Sequence, residues 1–533
     1  MSQNSLFGTL TPEGIRKRFL ELTGLSDVDL HQEIAGLEVF LRFKVGQDAP
    51  LYRQAIAIID RELGQDHEFH GRLSLKVSKE KYALFSRETD LLRSLITRSL
   101  RVTSGQLSGD LIVEFVPFRG REEQIITQPA NHVILGRRGV GKSSLILLGV
   151  RRLWGSRNLP IWVDLQPYRG RRDPACVVEV LYELAQLAVR EAQGEKQSLI
   201  QASSILERAI ERRPTSEDQV QALLPNVRQC VRNFTQSSQT QMYVFLDDAH
   251  LPAMELQPFL FDAVHSVLKG AGGWLNVAGV KHLTSLYDSG RSIGLQVPHD
   301  AQPINLDLTL TDPGAARDHL VAILEKFLLT CGIKRRASVI ADSAIERLVW
   351  CSAGVPRDFL WLFQNALQHA LQNRRRRIGV QEVNLAVGES GQSKMQELAE
   401  DTSENADRLR SLVDNLQQKC LDELRSNSFL VESAPHGVGY KLLQKLMDLR
   451  LVHLLHPSIT PGRAGERYEA YLLDYSFYTG VRRRHGLSEL RISSDAPPRY
   501  TELRHLPRID VDDLLAVQNP MGRVAQPRSA ETL

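Results

Sequence analysis

The sequence contains no long apolar run and no recognisable export signal. No stretch of about 18 consecutive apolar residues occurs, which is the length that a membrane-spanning helix needs. Residues 1–10 have neither the basic nor the apolar part of a secretion signal. We therefore expect a cytoplasmic protein that has no membrane partner.

Cysteine pairs and a strong excess of charge are also absent. The formal net charge is only +3 at pH 7, so bulk charge does not indicate a nucleic-acid partner, and any basic surface must come from local clusters. The five cysteines are scattered, without the spacing of a metal site or a redox motif: Cys176, Cys230, Cys331, Cys351 and Cys420. We expect free thiols in a reducing compartment.

Length and residue pattern predict several domains around an α/β core. A chain of 533 residues exceeds one ordinary core, so two to four domains are expected. From residue 131 onward, short apolar runs alternate with long helical stretches; the runs lie at 132–135, 161–163, 243–246 and 275–279. Strands that alternate with helices predict a parallel sheet covered by helices on both faces.

A glycine-rich segment follows the first of these strands. Residues 136–143 read GRRGVGKS, which fits the phosphate-binding pattern G-x-x-x-x-G-K-[ST] between a strand and an apolar helix. Glycines let the backbone N–H groups turn toward phosphate oxygens, and the helix N-terminus adds partial positive charge. Lys142 is expected to reach the β- and γ-phosphates, and Ser143 to bind Mg²⁺. The predicted nucleotide-binding residues are Gly136, Arg137, Arg138, Gly139, Val140, Gly141, Lys142, Ser143 and Ser144.

Two adjacent carboxylates follow the apolar run at 243–246. A magnesium–nucleotide site needs a carboxylate at the end of a neighbouring buried strand, and Asp247 fits this position. Asp248 is expected to orient or deprotonate the water that attacks the γ-phosphate. The alternative for Asp248 is that it caps the helix that follows. The predicted metal ligands are Ser143 and Asp247.

Further segments carry a resemblance to a known family. Residues 118–125 read FRGREEQI, and residues 354–357 read GVPR at the start of a helix expected at 356–377. With the glycine-rich segment and the paired aspartates, they resemble AAA+ ATPases of the origin-recognition and initiator clade over residues 115–390. The resemblance implies ATP and Mg²⁺ as cofactors, hydrolysis of ATP, and a P-loop core of the ASCE type under a helical lid. It also implies that Arg357 contacts the γ-phosphate from the lid, as a sensor 2 residue.

The resemblance assigns two further positions and points to a second family. Sensor 1 would be Lys281 or His282, where the family usually has Asn, Thr or Ser. Arg291 lies where family members carry an arginine finger, and a solvated surface arginine is the alternative. The pair Asp247 and Asp248, where AAA+ proteins usually have Asp-Glu, resembles STAND NTPases. The predicted catalytic residues are thus Lys142, Asp247, Asp248, Arg357 and Arg291.

The C-terminal third predicts a winged-helix module. An apolar helix at 442–451 precedes a short run at 453–455, a turn-rich stretch and an alternating run at 467–478. The expected domains are 1–115, a mixed or mainly helical region of unknown role; 116–310, the ATPase core; 311–390, the helical lid; 391–425, a connecting helix; 426–490, the winged-helix domain; and 491–533, a partly disordered tail.

The predicted ATPase is expected to act as a nucleotide-dependent switch. Two classes of partner are possible for it, DNA and protein. The winged helix and the arginine clusters at 169–172, 374–377 and 482–484 favour double-stranded DNA. The same features fit a signalling scaffold whose winged helix and N-terminal region dock proteins. Either class implies a homo-oligomer or a partner protein. A metabolic kinase is disfavoured, because such enzymes seldom combine a sensor 2 lid with a winged helix.

Overall fold

A computed structural model describes most of the chain as two compact units. The described residues are 11–35, 38–77, 84–100, 102, 115–117, 121–155, 157–400, 406–434, 437–462, 466–479, 486–490 and 498–516. The first unit comprises Met1–Leu308, Asp318–Ile345 and Val355–Gly379, and the second comprises Thr309–Arg317, Glu346–Gly354 and Val380–Leu533. Across the described ranges, no helix combines the length and apolar character needed to cross a bilayer. The cysteines are buried free thiols.

The N-terminal region of the first unit is a small α/β layer. Its elements are α1 (Pro12–Thr23), β1 (Asp29–Ala35), β2 (Glu38–Val45), α2 (Pro50–Leu63), β3 (Leu73–Val77) and α3 (Arg87–Ser99). Strand β2 pairs antiparallel with β1 and parallel with β3. Every second side chain of β2 is buried, namely Leu41, Phe43 and Val45. The expectation of a mixed region is confirmed.

The core of the first unit is a parallel sheet between two helical layers. Its elements are α4 (Glu122–Ile125), β4 (His132–Leu135), α5 (Lys142–Leu153), β5 (Asn158–Asp164), α6 (Ala175–Glu191), α7 (Gln197–Arg212), α8 (Glu217–Gln221), α9 (Leu224–Ser238), β6 (Gln241–Asp247), α10 (Gln257–Leu268), β7 (Gly273–Gly279), β8 (Tyr287–Asp288), β9 (Ile293–Gly294) and β10 (Gln302–Asn305). Among the described residues, five strands form this sheet in the order β10-β4-β7-β6-β5, all parallel. The α/β prediction is confirmed.

Strand order separates β4 from β6 by one strand. The strand that ends in Asp247 is not the direct neighbour of β4, because β7 lies between them. Side chains on one face of the sheet, such as Ile134 and Phe245, pack with α5. Side chains on the other face, such as Val133 and Val244, pack with α6, α7, α9 and α10. Helices on both faces leave the carboxyl edge of the strands open for a ligand.

Three helices follow the core: α11 (Pro313–Thr330), α12 (Asp342–Ser352) and α13 (Pro356–Gln372). Helix α13 starts where predicted but stops five residues earlier than the expected range 356–377. Arg374 adopts a left-handed conformation with φ of 50°, and the backbone N–H of Arg375 donates to the carbonyl of Ala370. This hydrogen bond terminates the helix in a Schellman arrangement. The arginine cluster 374–377 therefore lies beyond the helix, and not on its last turn.

The second unit contains a winged-helix topology. Its elements are α14 (Val380–Glu400), α15 (Ala406–Gln417), a π-helical stretch (Gln418–Glu423), β11 (Ser428–Glu432), α16 (Val438–Asp448), β12 (Val452–Ile459), β13 (Tyr468–Leu473), α17 (Tyr500–Arg504) and α18 (Val511–Ala516). Helix α16 connects β11 to β12, and β12 and β13 form an antiparallel hairpin in a sheet of order β11-β13-β12. The winged helix is therefore confirmed.

Helix α14 departs from the expected domain boundary at residue 390. The helix continues across that residue, and its C-terminal half packs within the second unit. A Cβ atom on Gly391 would lie 2.6 Å from the Cβ of Ser476, so glycine permits this close approach. The Nζ of Lys394 donates to the Oδ2 of Asp474 at 2.7 Å. These contacts hold α14 to the winged helix within the second unit, whose last segment starts at Val380, and the domain boundary at 390 stays a prediction.

The tail is ordered over part of its length. Residues 498–516 carry α17 and α18, and the amide of Asn415 donates to the carbonyl of Leu514 at 2.7 Å. Val511 and Leu514 are buried, and the partial disorder expected for 491–533 stays a prediction. The rest of the tail, the cluster 482–484 and residues 118–120 lie outside the described residues.

Candidate nucleotide-binding site

A cleft of about 1510 Å³ opens in the first unit at the carboxyl ends of β5 and β6. Ligand pockets in proteins typically measure about 300–1,000 Å³, so the cleft has room for a nucleoside triphosphate. Its walls include residues 138–144 of the glycine-rich segment and Arg357 and Leu360 of α13. The N-terminal region also lines it, with Arg18, Glu21, Leu22, Ile58, Arg61, Glu62 and Arg98. This contribution could not be predicted from the sequence, because the region carries no chemical motif.

The glycine-rich segment has the conformation of a phosphate cradle. Gly139 and Gly141 have φ of 84° and 104°, values that side chains with a Cβ rarely adopt. At Gly139 a Cβ would also lie 2.7 Å from the Cβ of Arg357. The Nζ of Lys142 donates to the carbonyls of Gly136 at 2.9 Å and Arg137 at 3.0 Å. These bonds hold the ammonium group within the loop that precedes α5.

Arg137 points away from the cleft. Its backbone N–H donates to the Oδ1 of Asp307 at 2.8 Å, and its guanidinium contacts Asp307 and the carbonyl of Leu308. Neither Gly136 nor Arg137 is among the described residues that line the cleft. The structure therefore assigns Arg137 to anchoring the loop, although the motif predicted a nucleotide contact.

Ser143 and Asp247 meet at the junction of α5 and β6. Asp247 is 5% exposed, and its side chain forms a hydrogen bond with Ser143. Burial and the neighbouring charge of Asp248 raise the pKa of Asp247 to about 6, although Ser143, the backbone N–H of Asp248 and Lys142 oppose this rise. A hydroxyl beside a buried carboxylate is a ligand set that suits Mg²⁺. In this pair we find the donor set that the sequence predicted for the metal.

Asp248 lies at the strand end in a sparsely populated conformation. Its φ is 52°, and such left-handed backbone in a non-glycine residue is common at functional sites. Burial first, and then the charge of Asp164, raise the pKa of Asp248, while Lys142, Arg138 and Arg357 lower it. Asp164 pairs in register with Asp247 on the neighbouring strand. The carboxylates of Asp164, Asp247 and Asp248 therefore share the carboxyl edge of the sheet with the cations Arg138, Lys142 and Arg357.

Arg357 is brought to the glycine-rich segment by the start of α13. Its backbone N–H donates to the carbonyl of Gly139 at 3.1 Å. Arg357 lines the cleft, where its charge lowers the pKa of Lys142 and opposes the rise in the pKa of Asp248. The sequence-predicted residues 138–144, Asp247, Asp248 and Arg357 thus share one cleft.

Arg291, Lys281 and His282 are not brought together with these residues. Within the described chain, none of the three lines the cleft. The guanidinium of Arg291 is held by Asp288 at 2.7 Å and by Glu217 at 2.6 Å. A role as arginine finger would require these ion pairs to open toward another subunit. Lys281 and His282 are exposed beyond the end of β7.

Asp164, Arg169 and His250 line the cleft, although the sequence analysis did not predict them as nucleotide-site residues. Asp164 ends an apolar strand as Asp247 does, and this parallel could have revealed it. Arg169 belongs to a cluster that was assigned to DNA, whereas the neighbouring Arg171 is paired with Asp173 at 2.7 Å. The side chain of His250 is 4% exposed, and its Nδ1 lies 4.0 Å from the Oδ1 of Asp248.

Comparisons with known proteins find structural similarity at low sequence identity. Neither protein-family models nor curated proteins give a match. Among solved structures, Aeropyrum pernix ORC1 in complex with DNA is 14% identical, with a TM-score of 0.38, over 69% of this chain and 92% of that one. Drosophila ORC bound to DNA is 12% identical, with a TM-score of 0.37, over 80% of this chain and 97% of that one. The RuvB branch-migration motor of Thermotoga maritima is 13% identical, with a TM-score of 0.29, over 62% and 78%.

The chain is similar in structure to initiator AAA+ ATPases and RuvB. Sequence identity is low throughout, and these TM-scores are too small to carry an argument about function. The fold assignment is based on two features of this chain, namely the sheet order β10-β4-β7-β6-β5 and the winged helix of the second unit.

Proposed function

We propose that this chain is an AAA+ ATPase that binds Mg²⁺-ATP and hydrolyses it to ADP and phosphate. The observation that carries the proposal is the hydrogen-bonded pair Ser143 and Asp247 beside the carbonyl-held ammonium of Lys142. The three groups combine a cation for the phosphates with two oxygens for a metal in one partly enclosed cleft. A glycine-rich turn without a ligand would not need a buried carboxylate beside it.

Each group of residues in the cleft has a distinct role in this proposal. Backbone N–H groups of residues 138–144 and the start of α5 bind phosphate oxygens. Ser143 and Asp247 would hold the metal, which would supply charge neutralisation at the phosphates. Asp248 accepts a hydrogen bond from the attacking water. Arg357 contacts the γ-phosphate from α13, so that the helix position depends on whether that phosphate is present.

Titration calorimetry with ATP tests this proposal. We expect a heat of binding with ATP in the presence of Mg²⁺ and a weaker one in EDTA, because Ser143 and Asp247 would hold a metal that neutralises phosphate charge. Phosphate release under the same buffer should follow the occupied fraction. If no magnesium-dependent heat appears with ATP or GTP, the nucleotide site does not exist and the proposal fails.

The winged helix supports DNA as the partner of the switch. In helix–turn–helix proteins the second helix enters the major groove, and basic residues contact the phosphates. Helix α16 occupies the position before the hairpin, and Lys441 is exposed on its surface with Lys445 one turn further on. Double-stranded DNA is therefore the first partner that we propose.

One contact favours protein docking as the second candidate. The N-terminal end of α16, which would approach the base edges, is occupied by Asp512 of α18. Its Oδ1 accepts the backbone N–H of Gly439 at 2.7 Å. A carboxylate at this end repels phosphate, and it satisfies an N–H that DNA would otherwise use. A signalling scaffold whose winged helix docks proteins is compatible with this contact.

Salt dependence of duplex affinity distinguishes the two candidates. A DNA-binding protein should lose affinity steeply with salt, with a slope of about −0.9 per neutralised phosphate. The double variant with Lys441→Ala and Lys445→Ala should reduce that slope by about 2 if both contact phosphates. Lys334→Ala, outside the second unit, is the control. A flat salt response in the presence of ATP would reject DNA and favour the scaffold.

A further inference from the structure

His250 is a buried polar side chain in the cleft, and no described residue hydrogen-bonds its Nδ1. A buried polar atom without a partner is destabilising, so native proteins usually pair it with a ligand or water. The ring lies two residues after Asp248, on the loop that leaves β6. The molecule that satisfies Nδ1 must therefore enter the cleft beside Asp248.

The distance between the two side chains defines what fits between them. The Nδ1 of His250 and the Oδ1 of Asp248 are 4.0 Å apart, too far for a direct hydrogen bond. One water at about 2.8 Å from each atom would bridge them, since contacts beyond about 3.5 Å commonly hold a water. This gap therefore accommodates a single water that is held by two acceptors.

The charges around His250 favour the neutral ring. Burial first, and then the cations Arg138, Lys142 and Arg169, together lower the pKa of His250 to about 3. A neutral imidazole with its proton on Nε2 leaves Nδ1 as an acceptor. Since Lys142 is on the phosphate side of the cleft, the bridging water would lie between these acceptors and the γ-phosphate.

We propose that His250 is a positioning residue that holds the hydrolytic water jointly with Asp248, an inference that rests on the ATPase activity proposed above. The water donates one O–H to Asp248 and the other to Nδ1 of His250, which leaves a lone pair directed at the γ-phosphorus. Its oxygen forms the new P–O bond as the bond to the β–γ bridging oxygen breaks. The proton accepted by Asp248 passes on to the phosphate, and the products are ADP and inorganic phosphate.

Two substitutions of His250 separate positioning from packing. In His250→Asn the amide oxygen takes the place of Nδ1, so an acceptor for the water is retained. In His250→Leu the same volume is filled without an acceptor. We expect His250→Leu to lower kcat by about 10- to 100-fold while ATP affinity by calorimetry stays within about twofold, and His250→Asn to recover most of that loss.

The measurements are single-turnover hydrolysis, ATP calorimetry and thermal unfolding on the full chain. Equal rates for His250→Leu and the wild type would overturn the proposal, as would a His250→Asn rate as low as that of the leucine variant in a folded, ATP-binding protein. If the leucine variant unfolds, the comparison of His250→Asn with His250→Gln decides instead. Glutamine moves its amide oxygen toward the position of Nε2, so equal rates for the two would also contradict the proposal. A wild type that fails to bind Mg²⁺-ATP would instead reject the ATPase itself.

Discussion

Lys142→Ala is expected to abolish measurable ATP binding. The ammonium group is 7% exposed and is held at the phosphate side of the cleft by two backbone carbonyls. Burial lowers the pKa of Lys142, and the charges of Asp247, Asp248 and Asp307 oppose that shift. Each charge-assisted hydrogen bond to a phosphate contributes about 1.5–3 kcal/mol. Loss of two such bonds should weaken binding by about 3–6 kcal/mol, or about 10²- to 10⁴-fold.

Calorimetry of the variant against Lys196→Ala provides a matched control. Lys196 also donates to a backbone carbonyl, that of Val189 at 2.8 Å, but it is absent from the described lining of the cleft. Its variant should bind ATP like the wild type. Size-exclusion profiles with and without ATP extend the test to assembly. An oligomer that is unchanged in Lys142→Ala would contradict the idea that nucleotide drives association.

The strands of the core were predictable wherever they are buried on both faces. Runs such as 243–246 are continuous and apolar, and the structure extends them by only a few residues at each end. Strand β10 escaped because it reads QPIN, with Pro303 and polar neighbours. Proline has no backbone N–H to donate. It is tolerated in β10 because β10 is an edge strand, and one side of an edge strand forms no ladder hydrogen bonds.

The order of strands in space could not be read from the sequence. The later strand β7 lies between the strands that end at Leu135 and Asp247, although it follows both of them in the chain. A buried polar pair links β7 to β4, since Nδ1 of His132 and the Oδ1 of Asn276 are 2.9 Å apart across the two strands. Such a pair is a tertiary feature, since its residues are far apart in the sequence.

The candidate site was predictable where a motif fixes the chemistry, and not where the fold supplies it. Lys142, Ser143 and Asp247 follow from spacing and from the ends of buried strands. Asp164 also ends a buried strand but belongs to no motif, and the role of His250 depends on which loops meet at the edge of the sheet. The N-terminal wall of the cleft was equally unpredictable, because it too is formed by tertiary contacts. Arg18 and Glu62, for example, form an ion pair between α1 and α2 at 2.6 Å. No local pattern in 1–115 predicts this proximity to the phosphate segment.

Asp248→Asn is expected to preserve ATP binding and to stop hydrolysis. The amide keeps the shape of the side chain and its acceptor oxygen but loses the charge that accepts a proton from water. General-base groups contribute about 10²- to 10⁴-fold to the rate, so kcat should fall by that factor. The affinity for Mg²⁺-ATP should be unchanged or slightly higher, because removing one negative charge near the γ-phosphate reduces repulsion.

Asp164→Asn is the control within the same cleft. Asp164 is close enough to raise the pKa of Asp248, but its own Oδ1 accepts the backbone N–H of Gln166 at 2.9 Å. Its variant should therefore lose much less activity than Asp248→Asn, while ATP affinity measured by calorimetry remains the same in both. If Asp248→Asn turns over at the wild-type rate and Asp164→Asn does not, the water is held on the β5 side of the cleft. In that case the left-handed backbone of Asp248 serves only to direct the chain away from β6, toward the loop that carries His250.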